Sequence, residues 1–138
     1  MKKRIPGYVP IGDGTAYRGE TLKNFYFSKD AIEICTLGAF GTTKSKEIIS
    51  VNDIVEADCF RASDIKGDAT AGALAGGLLF GLPGAIVGGI LSHNKHCWFC
   101  KLKKTDDSVV LFRLAQEYHN SYIIKWINSS PIKIKHTK

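Results

Sequence analysis

The sequence predicts an α+β domain: an antiparallel curved sheet or partial barrel with a C-terminal amphipathic helix, interrupted by a glycine-rich helical hairpin. Three observations carry this prediction. Segments of alternating hydrophobicity recur from residue 20 to residue 114, as half-buried strands require. Near the end, Tyr118, Tyr122, Ile123, Trp126 and Ile127 are spaced to line one face of a helix. Between the strand-like regions lie 24 residues without Lys, Arg, Asp or Glu, Ala69–Ser92, ATAGALAGGLLFGLPGAIVGGILS. A sheet and one helix, each apolar on one side, bury those sides against each other.

Residues 1–19 are rich in Gly and Pro and read as an irregular leader. From Thr21 the aromatic-rich run through Phe27 reads as a strand, and Ser28-Lys29-Asp30 as a hairpin turn. Ala31–Leu37 follows as a strand with Ile32, Ile34 and Thr36 on one face, then Thr42–Ile49, a turn at Asn52-Asp53, and Ile54–Phe60. After the uncharged stretch, residues 96–103 alternate again. Trp98, Cys100 and Leu102 share one face, and Cys97, Phe99 and Lys101 the other. Thr105-Asp106-Asp107-Ser108 is a polar turn leading into the strand Val109–Leu114. Ser129-Ser130-Pro131 stops the final helix, and residues 130–138 form a basic tail in which Ile132 alternates with Ile134, fitting either a short edge strand or a loose end.

The strand meander, the IISVNDIVEA stretch and the final helix EYHNSYIIKWIN together resemble the bacterial pleckstrin-homology-like (GRAM-like) domains, over about residues 20–129. The resemblance implies a single domain of that superfold, carrying a glycine-zipper insertion at 69–92.

The uncharged stretch is long enough for a transmembrane helix, which needs about 20 apolar residues. Pro83-Gly84 at its centre is a turn signal. Cations on both sides, Arg61 and Lys66 before and Lys95 and Lys101 after, give neither flank a preference for translocation. A single crossing would also split the sheet across the bilayer. The sequence therefore favours a hairpin with both ends on one side, its arms too short to span at about 1.5 Å per residue. Gly72, Gly76, Gly77, Gly81, Gly84 and Gly88 recur at four-residue spacing, and small residues so placed let helix backbones approach closely. Leu78, Phe80, Pro83 and Ile86 belong to the greasy remainder. Three surfaces compete for it: membrane lipid, another protein (including further copies of this chain), and the domain's own sheet.

At 138 residues with net charge +6, the chain suits a single domain that meets an anionic surface. Lys101, Lys103 and Lys104 are the candidate contacts for lipid headgroups. The start lacks the apolar run of a signal peptide, so a cytoplasmic location is expected, at the membrane's cytoplasmic face if bound, with reduced thiols. Among chemical motifs, His93, His96, Cys97 and Cys100 in HNKHCWFC come nearest a zinc set. On a strand, however, Cys97 and Cys100 face opposite ways, and no second Cys-x-x-Cys exists. No metal, no cofactor and no catalytic set is expected. Nucleic acid is disfavoured, because Trp98 shares a face with Leu102 and no DNA- or RNA-binding motif is present. The function expected is a non-enzymatic membrane-associated module. The alternative is a soluble ligand- or protein-binding module whose insert packs on the sheet or mediates self-association.

Overall fold

The computed structural model describes residues 2–12, 17–61, 96–131 and 134–137. Alternation sets the strands in sequence: β1 (Lys3–Gly12), β2 (Tyr17–Phe27), β3 (Ala31–Leu37), β4 (Thr43–Ser50), β5 (Ile54–Arg61), β6 (Trp98–Lys104), β7 (Val109–Leu114) and β8 (Ile134–Thr137). They form one sheet in the order β4-β3-β2-β1-β7-β6-β5-β8. All pairings are antiparallel except β5 with β8, which is parallel. One α-helix, α1 (Asn120–Ser129), follows β7 through a short 3-10 turn at Glu117–His119.

The core lies between the sheet and α1. Ile5, Phe25, Phe27, Ile32, Cys59, Cys100, Leu102 and Phe112 supply the sheet side, and Ile123, Trp126 and Ile127 the helix side. Phe25 and Phe112 stack with ring centroids 3.8 Å apart. Gly7 of β1 makes room for them: a Cβ there would stand 2.5 Å from Phe112 Cδ2 and 2.9 Å from Phe25 Cε1. Trp126 fastens the helix. Its indole packs edge-on to Phe27 at 5.1 Å, and its Nε1 donates to the Ser28 carbonyl at 2.7 Å. The helix ends where Ser130 N–H and hydroxyl both bond the Ile127 carbonyl, one residue before Pro131, which lacks the N–H to continue it.

The sheet curls. Lys104 of β6 reaches Glu47 of β4 at 3.4 Å, although four strands stand between them in the sheet order. The Thr105 N–H bonds the Asp53 carbonyl at 2.9 Å at the same corner.

Several expectations require correction. Among the described residues the fold is a predominantly antiparallel sheet with a single short C-terminal helix and no helical hairpin. The stretch 69–92 to which the hairpin was assigned lies outside the described residues. The leader is not irregular through residue 19, because Lys3–Gly12 is a strand. Its prolines and glycines disguised it: Pro6 and Pro10 sit within a pairing that runs from Lys3↔Phe27 to Gly12↔Tyr17, and Gly7 is required by packing. The basic tail adds β8 along β5, pairing Glu56↔Ile134 to Cys59↔Thr137.

Candidate functional site at the root of the uncharged insert

Strands β5 and β6 hold both ends of the connection that contains the uncharged stretch. Their register runs from Ala57↔Leu102 through Cys59↔Cys100 and Phe60↔Phe99 to Arg61↔Trp98. The chain therefore leaves the sheet at Arg61 and resumes it at the residue directly opposite. Strand alternation sorts the side chains at this root onto two faces.

On the core face, Cys59 and Cys100 lie opposite each other, both free and without exposed surface. Burial pushes the Cys59 thiol up to about 12, and burial pushes Cys100 well above the ordinary thiol range. Above them, the Arg61 guanidinium lies 5.4 Å over the ring of Trp98, which packs partly buried against the core. On the other face, Phe60 stacks on Phe99 with centroids 5.9 Å apart. Both are buried, as is Leu111, yet none of the three belongs to the core between sheet and helix.

Beside this aromatic pair, Arg113 lies opposite both Phe99 and Tyr8. It donates from Nε and Nη2 to the two carboxylate oxygens of Glu20, each at 2.9 Å, and stacks over Tyr8 at 4.3 Å. The Glu20 hydrogen bonds raise the Arg113 pKa further. Such a bidentate pair is rigid and already satisfied.

The cations expected to meet headgroups are largely committed to carboxylates. Lys101 is buried and ion-paired with Glu56. Lys104 pairs with Glu47, and Lys103 approaches Asp107 at 3.9 Å. Alternation along β6 also points Lys104 away from Lys101 and Lys103. The three do not form one cationic surface.

The His/Cys set is not assembled among the described residues. His96 is exposed and Cys97 half-buried, Cys100 is in the core, and His93 lies outside the described residues. A neutral buried thiol is a poor zinc ligand, since the metal needs the thiolate. Among the described residues no group of three His, Cys, Asp or Glu is placed to hold a metal. Gly72, Gly76, Gly77, Leu78, Phe80, Gly81, Pro83, Gly84, Ile86 and Gly88 all lie outside the described residues.

Sequence reasoning missed the Cys59–Cys100 pair and the Arg113–Glu20–Tyr8 cluster. No local signal could find either one. Glu20 and Arg113 are brought together by the β2-β1-β7 order, which no short-range pattern encodes. His119 is buried at the start of α1 with an unbonded Nδ1, and burial lowers its pKa. Comparison with family models and with curated proteins finds no match to this sequence.

Proposed function

We propose that this chain is a non-enzymatic, membrane-associated module that offers its uncharged stretch to a bilayer from one fixed point on the sheet. The observation that carries this reading is the Arg61↔Trp98 pairing. It fixes both ends of a connection containing 24 uncharged residues side by side, so a single crossing would contradict the sheet. Among the described residues no helix is long and apolar enough to cross a membrane. The root itself bears an arginine over a tryptophan, and basic and aromatic side chains favour the membrane–water interface. With Lys101 buried and Lys103 and Lys104 facing carboxylates, apolar contact carries more of the proposed attachment than headgroup charge does.

Because Arg61 and Trp98 are direct partners, a two-residue Asn-Gly turn can replace residues 62–97 and close β5 and β6 as a tight hairpin. In flotation with vesicles containing phosphatidylglycerol, the full chain rises and the shortened chain stays behind. The reading fails if both rise, or if neither does.

Buried Phe60, Phe99 and Leu111, on the face away from the core, support a second reading. Here the module is a protein-binding one, and the uncharged stretch serves to cover this part of its own sheet. Under that reading neither version floats. The shortened chain binds a hydrophobic dye such as ANS through the uncovered aromatic pair and loses stability, whereas under the membrane reading it gains none of this dye binding.

A further inference from the structure

We propose that the exposed edge of β4 binds an extended acidic peptide of a partner protein by strand addition. This surface involves none of residues 62–97 and is independent of the membrane reading. Among the described residues β4 is a terminal strand of the sheet, paired only with β3, and Thr43–Ile48 are exposed throughout. Among those residues no strand fills its outward N–H and C=O ladder, and a ladder recognises peptide backbone in particular.

The side chains along that edge select the occupant. Lys44 and Lys46 stand on β4 itself. In the adjoining row, Arg4, Tyr26, Glu33 and Ile48 are successive cross-strand partners. Glu33 takes ion pairs from both Lys2 and Lys46, so one carboxylate is shared by two cations, and exposed Arg4 and Lys44 add further positive charge on these strands. The excess positive charge calls for an acidic partner.

Apolar anchors mark the same track. Ile48 is 63% exposed in mid-strand, and Phe40 is fully exposed just before the strand begins. Phe40 is also held in the left-handed region, at φ 59° and ψ 24°. That conformation costs a bulky residue on the order of 1 kcal/mol or more, and such strain gathers at binding sites. At the other end of β4 lies an open cleft of about 270 Å³, lined by Ile48, Ile49, Lys104 and Thr105 together with Glu47, Asp53 and Asp106, so the preference for an acidic peptide is set by Lys44 and Lys46 and not by the cleft. From Phe40 to this cleft an extended peptide of about eight residues would find continuous contact at about 3.3 Å per residue.

A second copy of β4 is a poor occupant. Antiparallel self-pairing must keep like faces together. The two most fully overlapping registers that do so set Lys46 against Lys46 or Glu47 against Glu47, and like charges directly opposite destabilise a pair. A lipid headgroup would use the cations but leave the ladder unfilled.

The test uses the full chain and a fluorescein-labelled octapeptide of alternating Glu and Val, followed by anisotropy and by amide hydrogen exchange. Controls are the Lys-Val peptide and a Glu-Val peptide N-methylated on alternate amides. Saturable binding of the Glu-Val peptide is expected, with slowed exchange in residues 43–50. Exposed-site Lys44→Glu with Lys46→Glu weakens it at least tenfold, and the N-methylated and Lys-Val peptides bind at least tenfold more weakly than the parent. The proposal is overturned if no saturable binding occurs up to 1 mM peptide, if N-methylation leaves affinity unchanged, or if protection falls outside β4. It is equally overturned if phosphatidylglycerol vesicles, but not the peptide, lose binding in the double variant, which would make the surface a lipid contact.

Discussion

Replacing Gly7 with alanine tests whether β1 is integral to the fold, and the structure sets the size of the effect. The added methyl would lie 2.5 Å from Phe112 Cδ2 and 2.9 Å from Phe25 Cε1. Ordinary carbon–carbon contacts are about 3.5–4.0 Å, so the nearer ring must withdraw by roughly 1 Å. Neither ring has a free direction: both are fully buried and stacked on each other. Overpacking of this kind costs about 1–3 kcal/mol, and the closeness of both rings places Gly7→Ala at the upper end. Alanine also restricts the unfolded chain, which returns about 0.4–1 kcal/mol. The net expectation is a loss of about 2 kcal/mol. With a urea m-value in the usual range for small domains, the unfolding midpoint falls by about 1 M. Phe112→Leu in the same chain relieves the clash, so the double variant is less destabilised than the sum of the singles, by about 1 kcal/mol. A midpoint equal to or above that of the parent would refute the argument. That is the result an irregular, solvated leader would produce.

Four further outcomes follow from the same structure. Trp126→Phe removes the donor to the Ser28 carbonyl and lowers stability by about 1 kcal/mol in chemical denaturation, with more lost to the smaller ring; no loss would show that the indole N–H contributes nothing. Lys101→Met strands the partly buried Glu56 carboxylate and costs about 1–3 kcal/mol, most of it recovered in the double variant with Glu56→Leu; if Lys101 were a solvated headgroup contact, the single change would be nearly neutral. The folded-state pKa of Cys59 is raised from 9.0 to about 12, so the unfolded chain ionises first. This thiol's share of stability is intact below pH 9 and lost as pH rises towards 12. Cys59→Ala should flatten the alkaline decline in urea midpoint, and an unchanged slope would rule that contribution out. At pH 8, half-buried Cys97 should react with Ellman's reagent well before the buried Cys59 and Cys100 do.

Much of the element order was legible. The strands at 31–37, 54–61 and 109–114, the polar turn at 105–108 and the helix ending before Pro131 all follow from local periodicity and stop signals. The face assignment of Trp98, Cys100 and Leu102 also agrees with the core. The first strand was not legible. Pro6, Gly7 and Pro10 score as loop residues because local propensity penalises them, yet β1 is held by partners on both sides, β2 and β7. Its Gly7 is chosen by two rings from distant strands. Similarly, Lys101 reads as a surface cation in the sequence because lysine is seldom buried. Its ion pair with Glu56 on the neighbouring strand helps to make that burial tolerable.

The sequence alone determined where most of the strands and the helix form, which residues of β6 share a face, and that one long stretch carries no charge. These properties depend on residues a few positions apart, within reach of a period of two or of 3.6. Tertiary structure alone decided the neighbours. It laid Arg61 against Trp98, Cys59 against Cys100 and Arg113 against Glu20, and it left β4 as an exposed edge. Strand order is settled by the burial available to the whole chain at once, so pairs distant in sequence become chemistry only after folding brings them together.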